Sequence, residues 1–296
     1  MFTRSEDVDL EFACHRRVLY HRRNYTSITN PSIKPVDLDY TETIPPNGNK
    51  TQGALVLVHG MLGFKRNWSS LAKVFSRDLN CPVYAVDMRN HGDSPHAEPM
   101  DYFHMAADVL HFIKKLELSD ISLLGHSIST FQSTQNLIVV DIPPIKGSVS
   151  RTTISYIEAM RRIEDLKLTG SSIRKEADEL LIDVEKDPST RAFLLSTLIT
   201  PSSTSEFARF RVPLDILSKS IPDIGSFSYD PGEAVYKGRT LLVKGGKSRF
   251  VNDDNIPIFQ RFFSNSKLEI LDTGHWGKQN QDVFFMLRVL NEIFFL

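Results

Sequence analysis

Ala54-Leu55-Val56-Leu57-Val58 is apolar at every position. Successive side chains of a strand point to opposite faces, so such a strand is stable only where both faces are covered. This excludes a solvent-facing antiparallel sheet and asks for helices above and below a mostly parallel one. The pattern recurs along the chain. Trp68, Leu71, Ala72, Phe75 and Leu79 are at helical spacing in residues 67–79, and residues 82–86 read as the next strand. Residues 105–116 form a helix with Val109, Phe112, Ile113 and Leu116 on one stripe, and 121–124 and 137–140 are two more strands.

After Pro143-Pro144 the texture changes. Residues 151–220 hold only helical patterns, as in Tyr156-Ile157-Met160-Ile163 and Ala177-Leu180-Leu181-Val184, so a helical cap inserted at about 145–230 is expected. Strands resume at 240–243 and 268–271, with helices at 256–263 and 283–295. A chain of 296 residues then makes one α/β domain from residue 31 to the end, with an insertion.

Lys+Arg 35 against Asp+Glu 36 asks for neither nucleic acid nor an anionic surface. A small-molecule partner is expected, and the oligomeric state is left open. No run of 18 apolar residues is present, so no membrane span is expected. Cys14 and Cys81 are too few for a disulfide framework or a cysteine metal site. Residues 12–30 carry Arg16, Arg17, Arg22 and Arg23 and no acid, the bias of a mitochondrial transit peptide. The matrix is the expected location, with the cytoplasm and a disordered basic arm as the alternative.

The chemistry concentrates at strand ends. Gly125-His126-Ser127-Ile128-Ser129 follows the strand 121–124, where a serine on a tight strand-to-helix turn is lifted above the sheet. Ser127 is the candidate nucleophile, although Ser129 stands where the full motif has glycine. His59-Gly60-Met61-Leu62-Gly63 leaves the strand Ala54–Val58, and its glycines let backbone N–H groups turn inward as half of an oxyanion hole. Serine needs a base and the base an orienting acid. His275, in a loop after the last strand, is the best-placed base, and Asp141, at the end of strand 137–140, is the favoured acid, with Asp253 and Asp254 as alternatives. His126 is expected to point away from the nucleophile. His91 and His96 have no carboxylate or cysteine at metal spacing, so neither metal nor cofactor is assigned. The polar run from Asp87 to Ser94 is expected to buttress the site.

With these residues in view, the chain resembles the α/β-hydrolase superfamily. In particular it is similar to the mitochondrial abhydrolase-domain-containing protein 11 group and its fungal relatives, among them yeast ethanol acetyltransferases. The carriers are His59-Gly60-Met61-Leu62-Gly63, the run Asp87 to Ser94, Gly125-His126-Ser127, Val139-Val140-Asp141-Ile142-Pro143-Pro144, Phe210-Arg211-Val212-Pro213-Leu214-Asp215-Ile216-Leu217 and Gly274-His275-Trp276. The resemblance implies that Ser127, His275 and Asp141 form a catalytic triad and that Met61 and Ile128 supply the oxyanion N–H groups. It further implies a serine esterase or thioesterase, or an alcohol O-acyltransferase using the same triad. One departure stands out: only nine residues, 128–136, separate Ser127 from Leu137, below the ten to twelve of a usual strand-helix-strand crossover. The expectation is a nucleophile without its following helix, hence a slow enzyme or a binding protein.

Overall fold

The computed structural model describes residues 33–49, 51, 53–126, 134–147, 151–202, 205–225 and 227–275. The chain divides into Met1–Lys34 and Pro35–Leu296, and the sheet lies within the second unit. Its strands are β1 (Tyr40–Thr43), β2 (Ala54–Val58), β3 (Val83–Val86), β4 (Ile121–His126), β5 (Asn136–Val140), β8 (Arg239–Gly245) and β9 (Ser266–Leu271), in the order β1-β3-β2-β4-β5-β8-β9. All pair parallel except β1, which runs antiparallel to β3 at the edge. Leu55, Val56 and Leu57 have no exposed surface, as the continuous apolar run requires. β1 escaped the sequence reading because Tyr40-Thr41-Glu42-Thr43 is polar and largely exposed, as edge strands commonly are.

Between the strands run α1 (Ser69–Leu79), preceded by a 3₁₀ turn at Lys65–Trp68, and α2 (Tyr102–Lys115). Asp101 caps α2 by accepting the His104 N–H at 2.8 Å, which starts that helix three residues before the expected point. Between β5 and β8 the chain forms α3 (Arg151–Asp165), α4 (Ile173–Leu181), α5 (Pro188–Leu195) and α6 (Leu214–Ile224). Their buried Ile157, Met160, Ala177, Leu181, Leu194 and Leu217 belong to one apolar core with strand residues such as Val56 and Val139.

The expectation of helices alone across 151–220 needs correction. β6 (Leu198–Ile199) and β7 (Arg209–Phe210) form an antiparallel ribbon. The Phe210 N–H donates to Glu164 of α3 at 2.6 Å, so a tertiary contact anchors a pairing too short to leave a periodic signature. α7 (Ile256–Phe262) matches the expected helix between the last two strands. The expected helix at 283–295 lies outside the described residues.

Candidate active site

The site begins with the register of two adjacent parallel strands. His126, the last residue of β4, is level with Val140, the last of β5, and Asp141 leaves the sheet at that edge. Ser127 and Ile128 lie outside the described residues. Asp141 is buried and turns the chain sharply, with φ of 52°. Asp tolerates this left-handed conformation better than most residues because its short side chain can hydrogen-bond locally. Here the Asp141 N–H donates to Val243 O at 2.8 Å and Oδ1 accepts from the Gly245 N–H at 3.0 Å, tying the β5 exit to β8.

The second carboxylate oxygen faces His275. Asp141 Oδ2 and His275 Nδ1 are 2.8 Å apart, with side chains 2% and 8% exposed. A carboxylate can only accept, so the imidazole carries its proton on Nδ1 and directs Nε2 elsewhere. The loop that delivers His275 is hydrogen-bonded to the neighbouring strand exit: Gly246 N–H donates to Leu271 O at 2.7 Å and Lys247 N–H to Thr273 O at 2.9 Å. Gly245 fits because a Cβ there would press on the Thr273 and Gly274 carbonyls. Asp253 and Asp254, the alternative acids, are exposed, and the carboxylate on His275 is that of Asp141.

Whether His126 points away from Ser127 lies outside the described residues. The His126 ring lies 4.8 Å from that of His275, and its Nε2–H donates to the His275 carbonyl at 2.9 Å. Burial, with His275 beside it, pushes the His126 imidazole down to about 4. The Phe250 ring also stacks on His275, centroids 4.0 Å apart and planes 28° from parallel. Neither contact was foreseen, since both join residues distant in sequence.

At the β2 exit, His59 is buried and organises the glycine loop. Its Nδ1–H donates to Gly60 O at 2.8 Å and its Nε2 accepts the Met88 N–H at 3.0 Å. Accepting at Nε2 while donating at Nδ1 needs the neutral ring, and burial lowers this imidazole to about 4. Met61 is half-buried at the turn that follows, Leu62 has φ of 65°, and Gly63 N–H donates back to Gly60 O at 3.0 Å. The His91 ring lies 4.8 Å from that of His59, and burial together with that neighbour lowers it to about 3.

The run Asp87 to Ser94 does buttress this loop. Buried Asp87 accepts the Lys65 N–H at 2.5 Å, the Lys65 ammonium at 2.6 Å and the Asp93 N–H at 2.9 Å. Gly92 has φ of 56°, and any Cβ there would fall on the Asp87 carboxylate. Among the described residues, Asp39, Asp87 and Asp93 are close enough to share a cation. The Lys65 ammonium already contacts all three, at 2.8, 2.6 and 2.6 Å. Burial works against that charge, yet its hydrogen bonds to the three carboxylates raise it above the ordinary lysine value.

Residues 55–279 match the alpha/beta hydrolase family. An abhydrolase domain-containing protein of Schizosaccharomyces pombe is 37% identical over 276 residues, covering 88% of this chain and 98% of that protein. The sn-1-specific diacylglycerol lipase ABHD11 of Xenopus laevis is 29% identical, covering 92% and 89%. A protein of Saccharomyces cerevisiae named "Probable alcohol acetyltransferase" is 29% identical, covering 82% and 79%. Among solved structures, a marine microorganism esterase superposes with a TM-score of 0.72 at 27% identity, covering 87% of this chain and 99% of that one.

Proposed function

The chain belongs to the α/β-hydrolase family, and from this we propose that it is a serine hydrolase acting on a carboxylic ester or thioester. The observation that carries the reading is the 2.8 Å bond between Asp141 Oδ2 and His275 Nδ1. It supports His275 as the base, with its tautomer set by Asp141 and Nε2 as the atom that takes the proton of Ser127. Ser127 Oγ attacks the acyl carbonyl as His275 takes its proton. The oxyanion is held by the N–H groups of Met61 and Ile128, and the proton on His275 then passes to the departing alcohol or thiol. Water attacks the acyl carbon as it gives its proton to His275, and His275 returns that proton to Ser127 Oγ as the acid departs. The inserted helices from α3 to α6 serve as the cap that selects the acyl group. No cofactor enters this scheme. Glycerolipid esters, the class in the name of the Xenopus laevis relative, are the first substrates to test.

A second reading follows from the similarity to the Saccharomyces cerevisiae protein. An alcohol replacing water at the deacylation step makes the same triad an O-acyltransferase. Product analysis with and without added ethanol separates the two.

The test of the main reading is labelling by a fluorophosphonate. Wild-type protein should label and hydrolyse p-nitrophenyl acetate, while Ser127→Ala should lose labelling and all but about a thousandth of the turnover at unchanged stability. Wild-type protein that is folded but unlabelled would instead point to a binding protein. For location we propose the mitochondrial matrix with removal of the segment up to about residue 25. An intact Met1 on cytosolic protein, read by mass spectrometry, would overturn that.

A further inference from the structure

A hydrogen bond fixes a direction and not a plane, so the Asp141 bond to Nδ1 does not by itself define the tilt of the His275 imidazole. A base must be aimed to within a fraction of an ångström, since misplacement by about 1 Å can cost a hundredfold. Two described contacts restrain that tilt. The His126 Nε2–H holds the His275 carbonyl at 2.9 Å, fixing the backbone that carries the ring. Phe250 lies face to face with the imidazole at 4.0 Å and 28°, blocking the tilt. Phe250 is itself anchored: its carbonyl accepts from buried Asn255 Nδ2 at 2.7 Å, and its N–H donates to Ser248 Oγ at 3.2 Å. His126 is anchored as the last residue of β4, paired with Val140 next to Asp141.

We propose that His126 and Phe250 are positioning residues of the reaction, clamping His275 so that its Nε2 stays aimed at the nucleophile. The proposal deepens the triad reading and rests on it. His126 acts through the His275 backbone and Phe250 through the imidazole face, so neither needs to touch the substrate.

The test compares His126→Phe, which keeps a ring but loses the donor, with His126→Gln, which restores a side-chain N–H at similar reach. Phe250→Leu and Phe250→Tyr make the matching pair for the stack. Steady-state hydrolysis of p-nitrophenyl acetate should show kcat lowered about ten- to hundredfold in His126→Phe and Phe250→Leu at unchanged KM. His126→Gln and Phe250→Tyr should recover most of that loss. Proton NMR of the His275 Nδ1–H, identified by its disappearance in Asp141→Asn, should show faster exchange with water in the two impaired variants and a wild-type signal in the two conservative ones. This signal reports on the clamp whether or not Ser127 is the nucleophile, so wild-type protein that shows it but resists a fluorophosphonate would sink the triad reading alone. Wild-type kcat and an unchanged signal in folded His126→Phe and Phe250→Leu would overturn the clamp, as would a failure of the conservative variants to restore either.

Discussion

Asp141 combines a left-handed backbone, φ of 52°, with burial and two separate acceptor bonds, one to the Gly245 N–H and one to His275. The turn that strains the backbone also swings the carboxylate across the β8 exit toward the last loop. Asp141→Asn keeps the volume and most of the local bonding but presents an amide where the Nδ1–H needs an anion. Turnover is expected to fall on the order of a thousand- to ten-thousandfold. Asp253→Asn, at an exposed position, is expected to leave kcat within about twofold. Equal losses in the two variants, measured at saturating ester, would show that the acid has been misassigned. The meeting of Asp141 with His275 was legible from sequence because strand ends of a parallel sheet deliver side chains to one edge, and both residues follow recognisable strands. Strand alternation gives no hint that a carbonyl 149 residues later comes back to meet His126.

The elements show the same division between local and distant causes. β2 announced itself through an unbroken apolar run and β3 to β5, β8 and β9 through short apolar-rich stretches, whereas the two-residue strands β6 and β7 exist because Glu164 and the facing backbone hold them. The link from β4 to β5 is the element where length and function meet. Ser122 is level with Asn136 and His126 with Val140, so the chain must travel back about four residues' rise, roughly 13 Å, and sideways by about 4.8 Å. Nine residues reach about 30 Å when extended, so closure is not in question. Gln135 docks, its N–H donating to Ile121 O at 3.0 Å and its side chain to Asp120 at 2.5 Å, so any change of length belongs in the stretch 128–133. Lengthening that stretch by about ten residues, beginning Met-Gly-Gly after Ser127 and continuing as a helix, would place a helix N-terminus beside the oxyanion. If the native link leaves the Ile128 N–H poorly aimed, the longer version should turn over about a hundred- to thousandfold faster, the value of one oxyanion donor. Equal rates for the two proteins at matched folded concentration would mean the native link already completes the oxyanion hole.

Across the whole molecule, stability depends on polar groups buried among the strand ends. Arg89 is 1% exposed and grips Asp108 of α2 with two bonds of 2.6 and 2.7 Å, while Asp108 also accepts the Val36 N–H at 2.8 Å. Asp108→Ala strands a buried guanidinium and should cost about 3 to 5 kcal/mol in guanidinium-chloride unfolding. Nothing in local sequence marks this pair, which sits in the buttressing run and on a helix that reads as merely amphipathic. The buried histidines make a further prediction with a definite sign. His59 and His126 are lowered to about 4 and His91 to about 3, in each case chiefly by burial, against about 6.5 in the unfolded chain. Between those values the unfolded state binds protons that the folded state refuses, so stability is full above about pH 6.5 and is lost as pH falls toward 4. Each histidine contributes a slope of up to about 1.4 kcal/mol per pH unit, hence about 4 for the three together. Unfolding midpoints should therefore drop steeply between pH 6.5 and 5, above the range in which ordinary carboxylates titrate. His91→Asn keeps a side-chain donor within reach of Arg89 O, which His91 Nδ1 contacts at 2.9 Å, and removes one titrating group. Its midpoint should fall with about two-thirds of the wild-type slope. A midpoint that stays flat from pH 6.5 to 5 would mean that these rings take up protons while the protein remains folded. In that case the hydrogen bond from Met88 N–H to His59 could not be what holds the glycine loop in place.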